Sequence, residues 1–435
     1  MAKYLWFMSR KVLFTIFLTI LTLITPTASF AAPKAGATCP KAGKAENLGN
    51  KRFTCIKSGK KLIWNKGVPK KSSVAPTAQP NPTDATPTPT ATPASDSKVK
   101  WPIPTQRPVS IEDLYSNRLG VAYAAWSNTA KVMNSSSPKV PPFEVFIGPN
   151  SVPWHKNYKE IIESVSKAIP NQILPKKVNI IYYNFSDLGW AESQMRKLVS
   201  ADEYSEMDRS EGGALVSSNC QQQLQNCLGA KAKTLQNNEQ AFLLMGVSNQ
   251  VGMFEKDGGK YGSPGEEEAN RKGMILAHEY FHTLQIGPMS FSQNLQRGDW
   301  PPAWIQEGSA TFMQNATINS SSYENYMEYR KASLGGLIER AGMQEDFIVQ
   351  FLNQKNWVSN PDWGGVSPDW SYQLGARVME ILVALKGPES TVEIFNLMSK
   401  KSGFESSFKS AFGFDFDTAV PIIAKTLAAN WKEGL

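Results

Sequence analysis

The first pattern along the chain is an alternation of short apolar runs with longer amphipathic segments. Runs rich in Val, Ile, Phe and Tyr predict strands at 143–147, 178–184 and 240–247. Apolar residues at helical spacing predict helices at 110–133, 158–168 and 191–199. This alternation predicts a small sheet packed against helices.

The pattern changes after residue 282, where the strand signals fade. Helical periodicity predicts helices at 302–314, 323–340, 346–352, 371–385, 390–400 and 418–431. We therefore expect an α+β fold over residues 101–435, with a mixed α/β part at 101–287 and a helical part at 288–435.

The N-terminal residues have a different character. Basic residues precede an apolar run at 12–24, which is too short for a comfortable membrane span. Small residues stand before a possible cleavage point after Ala31. These features predict a signal peptide at 1–31 and a secreted or cell-surface protein, with an uncleaved anchor as the alternative.

Two further segments precede the large α+β part. Residues 32–71 carry 11 Lys and Arg against the single acid Glu46, and two β-prone runs within them predict a hairpin. Such a basic module either attaches to an anionic cell-wall polymer or membrane surface, or is only a solvated surface. Residues 72–100 are rich in Pro, Thr, Ala and Ser, which predicts an extended linker.

The net charge of +8 is unevenly distributed. Residues 1–100 carry 16 Lys and Arg against 3 Asp and Glu, whereas residues 101–435 carry 30 against 35. The large part is therefore mildly acidic, and no nucleic-acid partner is expected for it.

Four cysteines in an exported chain predict two disulfides. Three pairings are possible, and proximity along the chain favours Cys39–Cys55 and Cys220–Cys227. A cysteine zinc site is disfavoured, because the sequence has no Cys-x-x-Cys spacing.

The chemistry-bearing motif of the chain is His278-Glu279-x-x-His282, inside an apolar run. On a helix, residues four apart share a face, so both imidazoles can bind one Zn²⁺ ion. Glu279 then lies where it can act on water without ligating the metal. The alternative is an amphipathic helix with two hydrogen-bonded histidines. Gly273 could break the preceding segment, and the helix is expected to stop at Gly287-Pro288.

A catalytic zinc needs a third protein ligand and one open position. Glu307 is the candidate, 25 residues after His282, with small neighbours that allow close approach to the histidine helix. His155, the remaining histidine, lies upstream in a loop and is a weaker candidate. The alternative for Glu307 is a surface glutamate.

The spacing of His278-Glu279-x-x-His282 and the later Glu307-Gly-x-Ala resembles the gluzincin, or peptidase MA-like, zinc metallopeptidases. The resemblance covers about residues 240–400. It implies that His278, His282 and Glu307 bind zinc and that Glu279 is the general base. It also implies a sheet-bearing N-terminal subdomain with the HExxH helix, an α-helical subdomain after it, and an active-site cleft between them.

Tyr372, with Gly375 three residues later, is similar to a Tyr-x-x-Gly element in the aminopeptidase branch of that family. The resemblance implies that its hydroxyl stabilises the developing oxyanion. The alternative is a helix-start tyrosine packed by Trp370. The Gly-x-Met-Glu-Asn element of that branch has no match in register at 252–255, so aminopeptidase activity is not inferred.

These expectations combine into an exported metallopeptidase that binds one Zn²⁺ ion and hydrolyses peptide or protein substrates, with Glu279 as general base. The alternative is a non-catalytic cell-envelope binding protein with a structural or vestigial zinc site.

Overall fold

The structure is a computed structural model. It describes residues 36–39, 41, 44–48, 51–58, 61–66, 68–69, 100–137, 139–227, 229–248, 271–292, 295, 299–332, 343–354 and 369–434. The chain divides into two compact units, Met1–Ser95 and Asp96–Leu435. The expected signal peptide at 1–31 and the linker before residue 100 lie outside the described residues.

The first unit contains an antiparallel sheet. Its strands are β1 (Ala45–Leu48), β2 (Lys51–Ser58), β3 (Lys61–Trp64) and β4 (Val68–Pro69). Strand β2 pairs with each of the other three, and its pairing with β3 confirms the predicted hairpin. The predicted disulfide Cys39–Cys55 is confirmed and packs with Phe53 and Trp64 in a small core.

The second unit contains a four-stranded mixed sheet and a short ribbon. The strands are β5 (Phe143–Ile147), β6 (Lys177–Tyr183), β7 (Cys220–Gln221), β8 (Asn226–Cys227), β9 (Ala230–Thr234) and β10 (Gln240–Gly246). In the sheet order β5-β6-β10-β9, the first three strands are parallel and β9 is antiparallel to β10. Three of these strands match the predicted ones within one residue, and β9 was not predicted. The β7–β8 ribbon carries the disulfide Cys220–Cys227, which is also confirmed.

The other main elements among the described residues of the second unit are helices, so the predicted mixed α+β composition is confirmed. The helices are α1 (Val121–Ser135), α2 (Tyr158–Ala168), α3 (Leu188–Leu198), α4 (Ala201–Ser210), α5 (Met274–Met289), α6 (Ala303–Ile318), α7 (Tyr323–Ala332), α8 (Glu345–Leu352), α9 (Asp369–Lys386), α10 (Ser390–Met398), α11 (Phe404–Phe412) and α12 (Phe416–Lys432). Within the described residues, no helix combines the length and apolar character needed to cross a membrane.

The sheet has a hydrophobic core on each face. Successive side chains of a strand point to opposite faces, so Leu243 and Met245 of β10 join one core, and Phe242 and Leu244 join the other. Helix α5 packs in the first of these cores and is buried on nearly all sides, as expected for a helix that is apolar all round. The sheet thereby fixes the position of the helix that carries the HExxH motif.

The helix predicted from residue 110 begins later, at Val121. Asp113 accepts hydrogen bonds from the backbone N–H groups of Val109 and Ser110. Such local side-chain bonds favour a turn over a helix, so the first part of that prediction was wrong.

The bounds of α5 differ slightly from the expected ones. Gly273 has φ +80° and precedes the first helical residue, so the motif lies after this break, as the sequence suggested. The expected stop at Gly287-Pro288 was wrong, because the helix continues to Met289. Proline in the last turn leaves the closing bond from the Ser290 N–H to the Ile286 carbonyl intact.

Candidate metal centre

Three helices of the second unit bring the predicted site residues together. Helix α5 carries His278, Glu279 and His282, helix α6 carries Glu307, and helix α9 carries Tyr372.

Two glycines allow α6 and α9 to approach backbone to backbone. A Cβ atom on Gly308 would lie 2.4 Å from the carbonyl carbon of Gly375, and one on Gly375 would lie 2.6 Å from the carbonyl oxygen of Trp304. Neither position accommodates a side chain without movement of the backbone. The residue after Glu307 is therefore small because α9 occupies the space beside it.

The side chains of His278, His282 and Glu307 converge. The two Nε2 atoms are 3.0 Å apart, and Glu307 Oε2 lies 3.4 Å from that of His278 and 3.2 Å from that of His282. Both histidines are buried, and the Glu307 side chain is only 17% exposed. These three residues could hold a metal ion.

Two glutamines fix the orientation of the imidazoles. His278 Nδ1 lies 3.1 Å from Gln314 Oε1, and His282 Nδ1 lies 2.7 Å from Gln285 Oε1. The Gln314 amide nitrogen donates to the Tyr329 hydroxyl, which leaves its oxygen to face the histidine.

Gln285 is held in the same way. Its amide nitrogen donates to the backbone carbonyl of Gln306 and to Ser309 Oγ, so its oxygen faces His282. An amide oxygen can only accept, so both Nδ1 atoms carry protons and both Nε2 atoms of the neutral rings carry lone pairs. This is the tautomer that a metal-ligating histidine requires.

The convergence therefore places three acceptor atoms against one another. Such a cluster is unfavourable unless a cation lies among them or one imidazole gains a proton. Burial alone would lower the pKa of His282, but the Glu307 carboxylate opposes this and raises that pKa to about 9. Burial would likewise raise the pKa of Glu307, but His282 and His278 hold it well below its ordinary value. The donor set of two imidazoles and one carboxylate fits a divalent metal ion such as zinc.

Glu279 lies beside this cluster and is buried. Burial raises the pKa of its carboxyl group above the ordinary value, and His278 and His282 partly oppose this. A raised pKa is what a carboxylate general base working near neutral pH needs.

A cleft of about 520 Å³ opens onto the cluster. Its lining includes His278, Glu279, His282 and Glu307, together with strand β9 and the end of α4. Four consecutive β9 residues, Ala230 to Lys233, border the cleft. Because their side chains alternate between the two faces of the sheet, the strand presents its edge to the cleft.

Tyr372 also lines the cleft, and its side chain is 42% exposed. Its ring stacks on that of His278, with centroids 5.8 Å apart and planes inclined by 22°. His155 lies elsewhere, with Nε2 3.1 Å from the Tyr182 hydroxyl, and is not part of the metal-type group.

The sequence predictions missed three components of this site: Gln285, Gln314 and strand β9. Gln285 could have been found, because it lies three residues after His282 and so on the same helix face. The Ala-Lys-Ala-Lys-Thr alternation of β9 is a two-residue period that also could have been recognised. Gln314 reaches His278 from another helix, and no local pattern indicates that contact.

Comparison with known proteins gives no relative: no family model matches the chain, and neither a curated protein nor a solved structure matches it.

Proposed function

We propose that this protein is a zinc-dependent metallopeptidase of the gluzincin type. The observation that carries the proposal is the convergence of His278 Nε2, His282 Nε2 and Glu307 Oε2 at one point beside an open cleft. Among the described residues, no fourth His, Cys, Asp or Glu joins the group. Three protein ligands are typical of catalytic zinc sites, whereas structural zinc sites have four.

The proposal extends to the architecture. We infer a sheet-bearing N-terminal subdomain that includes α5 and a helical subdomain after it, with the active-site cleft between them. The order of the elements supports this, since all six strands of the second unit precede α5 and only helices follow it in the described residues.

Each side chain has a role in the proposed hydrolysis. When bound, the zinc ion supplies Lewis acidity towards the peptide carbonyl and makes water a stronger acid. Glu279 accepts a proton from the attacking water and returns it to the leaving amine. Gln285 and Gln314 hold the imidazoles in the ligating tautomer. The Tyr372 hydroxyl donates to the developing oxyanion.

Strand β9 is suited to hold an extended peptide in this cleft. Among the described strands it pairs with β10 alone, and its other edge borders the cleft. An exposed strand edge offers backbone N–H and C=O groups to which a peptide can add as a further strand.

The test is hydrolysis of a mixed peptide library by the zinc-loaded protein and by two variants. Glu279→Gln should retain zinc but lose about 10²–10⁴-fold in rate, because the amide cannot take the proton. Glu160→Gln, on an exposed position of α2, is the matched control and should behave as the wild type. A chelator should abolish cleavage, and added Zn²⁺ should restore it. Full activity in Glu279→Gln, or no cleavage by the zinc-loaded wild type, would overturn the proposal.

The first unit supports a second proposal, which concerns localisation. We infer that it holds the exported protein against an anionic cell-wall polymer or membrane surface, because five of its lysines are exposed: Lys41, Lys44, Lys57, Lys61 and Lys66. Such binding is electrostatic and should weaken as salt screens the charges. Cosedimentation with anionic vesicles that persists unchanged in 1 M salt, or that never occurs at low salt, would contradict it. The alternative is a pure binding role for the whole chain, with a structural or vestigial metal site. The hydrolysis test distinguishes this role from that of a peptidase.

A further inference from the structure

A compact charged cluster on strand β9 and at the end of α4 lines the same cleft as the candidate metal ligands. Glu211, just after α4, pairs through Oε2 with Lys231 Nζ at 2.5 Å and through Oε1 with Lys233 Nζ. Lys231 also donates to Ser218 Oγ at 2.5 Å, and Lys233 to Ser210 Oγ at 3.4 Å. All three charged side chains are about one fifth exposed, so they are held in place yet reach the solvent of the cleft.

The two lysines share one face of β9. They lie opposite Leu244 and Phe242 of β10, whereas Ala230 and Ala232 lie on the other face and pack towards α5. A peptide added beside β9 would likewise direct alternate side chains to the two faces. Side chains on the lysine face would be direct cross-strand neighbours of Lys231 or Lys233, where opposite charges attract.

The cluster carries one surplus positive charge. A single carboxylate is shared by two ammonium groups, and both of its oxygens are occupied. Among the described contacts, each ammonium uses two of its three N–H donors. Burial would raise the pKa of Glu211, but the two lysines lower it, so the carboxylate stays ionised and compensated. The cluster can therefore accept a further carboxylate, and a basic side chain would meet net repulsion.

We propose that Lys231 and Lys233 are specificity-determining residues, and that the substrates are extended peptides with an acidic side chain on the face of the added strand that meets these lysines. This inference rests on the proposed function, because it places the peptide in the same cleft. The acidic side chain is Asp or Glu, because its negative charge complements the surplus ammonium group.

The test uses matched peptides that differ only in Glu, Gln or Lys, scanned through successive positions around the cleaved bond. Hydrolysis by the zinc-loaded wild type gives kcat/KM, and fluorescence anisotropy of the same labelled peptides with Glu279→Gln gives affinity without turnover. At one position, Glu should be preferred over Gln by about fivefold, the upper range for a cross-strand charge pair, and Lys should be the poorest.

Variants change the surplus charge in steps. Lys233→Gln should remove the preference for Glu, and Glu211→Gln should strengthen it. The double variant Lys231→Gln, Lys233→Gln leaves Glu211 alone and should reverse the preference towards the Lys peptide. Lys176→Gln is the control, because Lys176 pairs with Glu239 away from the cleft.

The outcomes separate the two proposals. Equal rates and equal affinities for the Glu, Gln and Lys peptides at every position would overturn the specificity and leave the peptidase function standing. Absence of all cleavage would overturn the peptidase function, and the anisotropy measurement would then decide whether the cluster still selects acidic peptides. A preference for Glu that persists in Lys233→Gln and in the double variant would show that these lysines are not its source.

Discussion

Two clusters of buried charged side chains lie in the second unit, and they differ in how their acceptors are satisfied. In the cluster between α7 and α9, Glu380 receives bonds from Arg330 Nε at 2.7 Å, from Arg330 Nη2 at 2.7 Å and from the Tyr326 hydroxyl at 2.5 Å. Arg377 donates to the Arg330 carbonyl. Every oxygen of this carboxylate therefore faces a donor.

The cluster of His278, His282 and Glu307 is the opposite case. Its three nearest atoms are all acceptors in the neutral tautomer, and the donors that would satisfy them are turned away towards Gln285 and Gln314. Buried polar groups are normally paired, and each exception requires an explanation. The comparison teaches that an internally satisfied cluster stabilises the fold, whereas converging acceptors indicate a site for a cation.

The largest expected effect concerns the satisfied cluster. Glu380→Ala should cost about 3–5 kcal/mol in the free energy of unfolding, because it leaves two buried guanidinium groups without their carboxylate. Glu307→Gln in the metal-free protein should cost less, since His282 can release its proton, whereas arginine cannot. Denaturant unfolding of both variants measures the difference. If both variants lost the same free energy of unfolding, the two clusters would not differ in the way proposed.

The next effect concerns the orienting amides. Gln285→Ala and Gln314→Ala should each weaken zinc affinity about 10–100-fold, because the imidazoles lose the partners that fix their tautomer. Competition with a chelator of known affinity gives the measurement. Gln344→Ala, at an exposed position that makes no side-chain cap bond, is the control and should bind zinc like the wild type. Unchanged affinity in both site variants would show that the amides do not position the ligands.

The last effect, which is gradual, is the pH dependence of metal binding. In the metal-free protein, burial lowers the pKa of His282, but the Glu307 carboxylate raises it by more. The pKa therefore moves from 6.5 to about 9. Below that pH the ring is protonated, so binding must release a proton, and zinc affinity should rise about tenfold per pH unit until it levels near pH 9. By the same linkage, the stability that the charged pair gives the metal-free protein is present below pH 6.5 and is lost as the pH rises through about 9. Chelator-buffered titrations from pH 7 to 10 test the slope. An affinity that does not change between pH 7 and 9 would contradict it.

Local sequence patterns predicted those parts of the fold in which the positions of apolar residues directly indicate which side chains are buried. Helix α2 was predicted with its observed bounds, because the apolar spacing of Ile161, Ile162 and Val165 gives the buried face directly. Strands β6 and β10 are rich in apolar residues and buried on both faces, which few other structures allow. The ligand candidates came from the spacing of two histidines and a later glutamate.

Of the missed features, strand β9 has only a weak local signal, and the contact of Gln314 depends on tertiary structure. Strand β9 consists of Ala, Lys and Thr, and Ala and Lys are depleted in strands, so its position beside β10 decides its conformation. Lysines are common on edge strands, where they discourage pairing with other chains. The contact of Gln314 with His278 joins residues 36 apart on different helices, and no periodicity within either helix encodes it.

The central claim is that His278, His282 and Glu307 bind one zinc ion and leave a position for water. X-ray absorption at the zinc edge of the purified, zinc-loaded protein tests it most directly. The account predicts one ion per chain with two imidazole nitrogens at about 2.0–2.1 Å and oxygen ligands at about 2.0–2.2 Å, and loss of the ion in the variant Glu307→Ala. A protein that takes up no zinc, or a zinc shell with sulfur ligands that survives this substitution, would contradict the account.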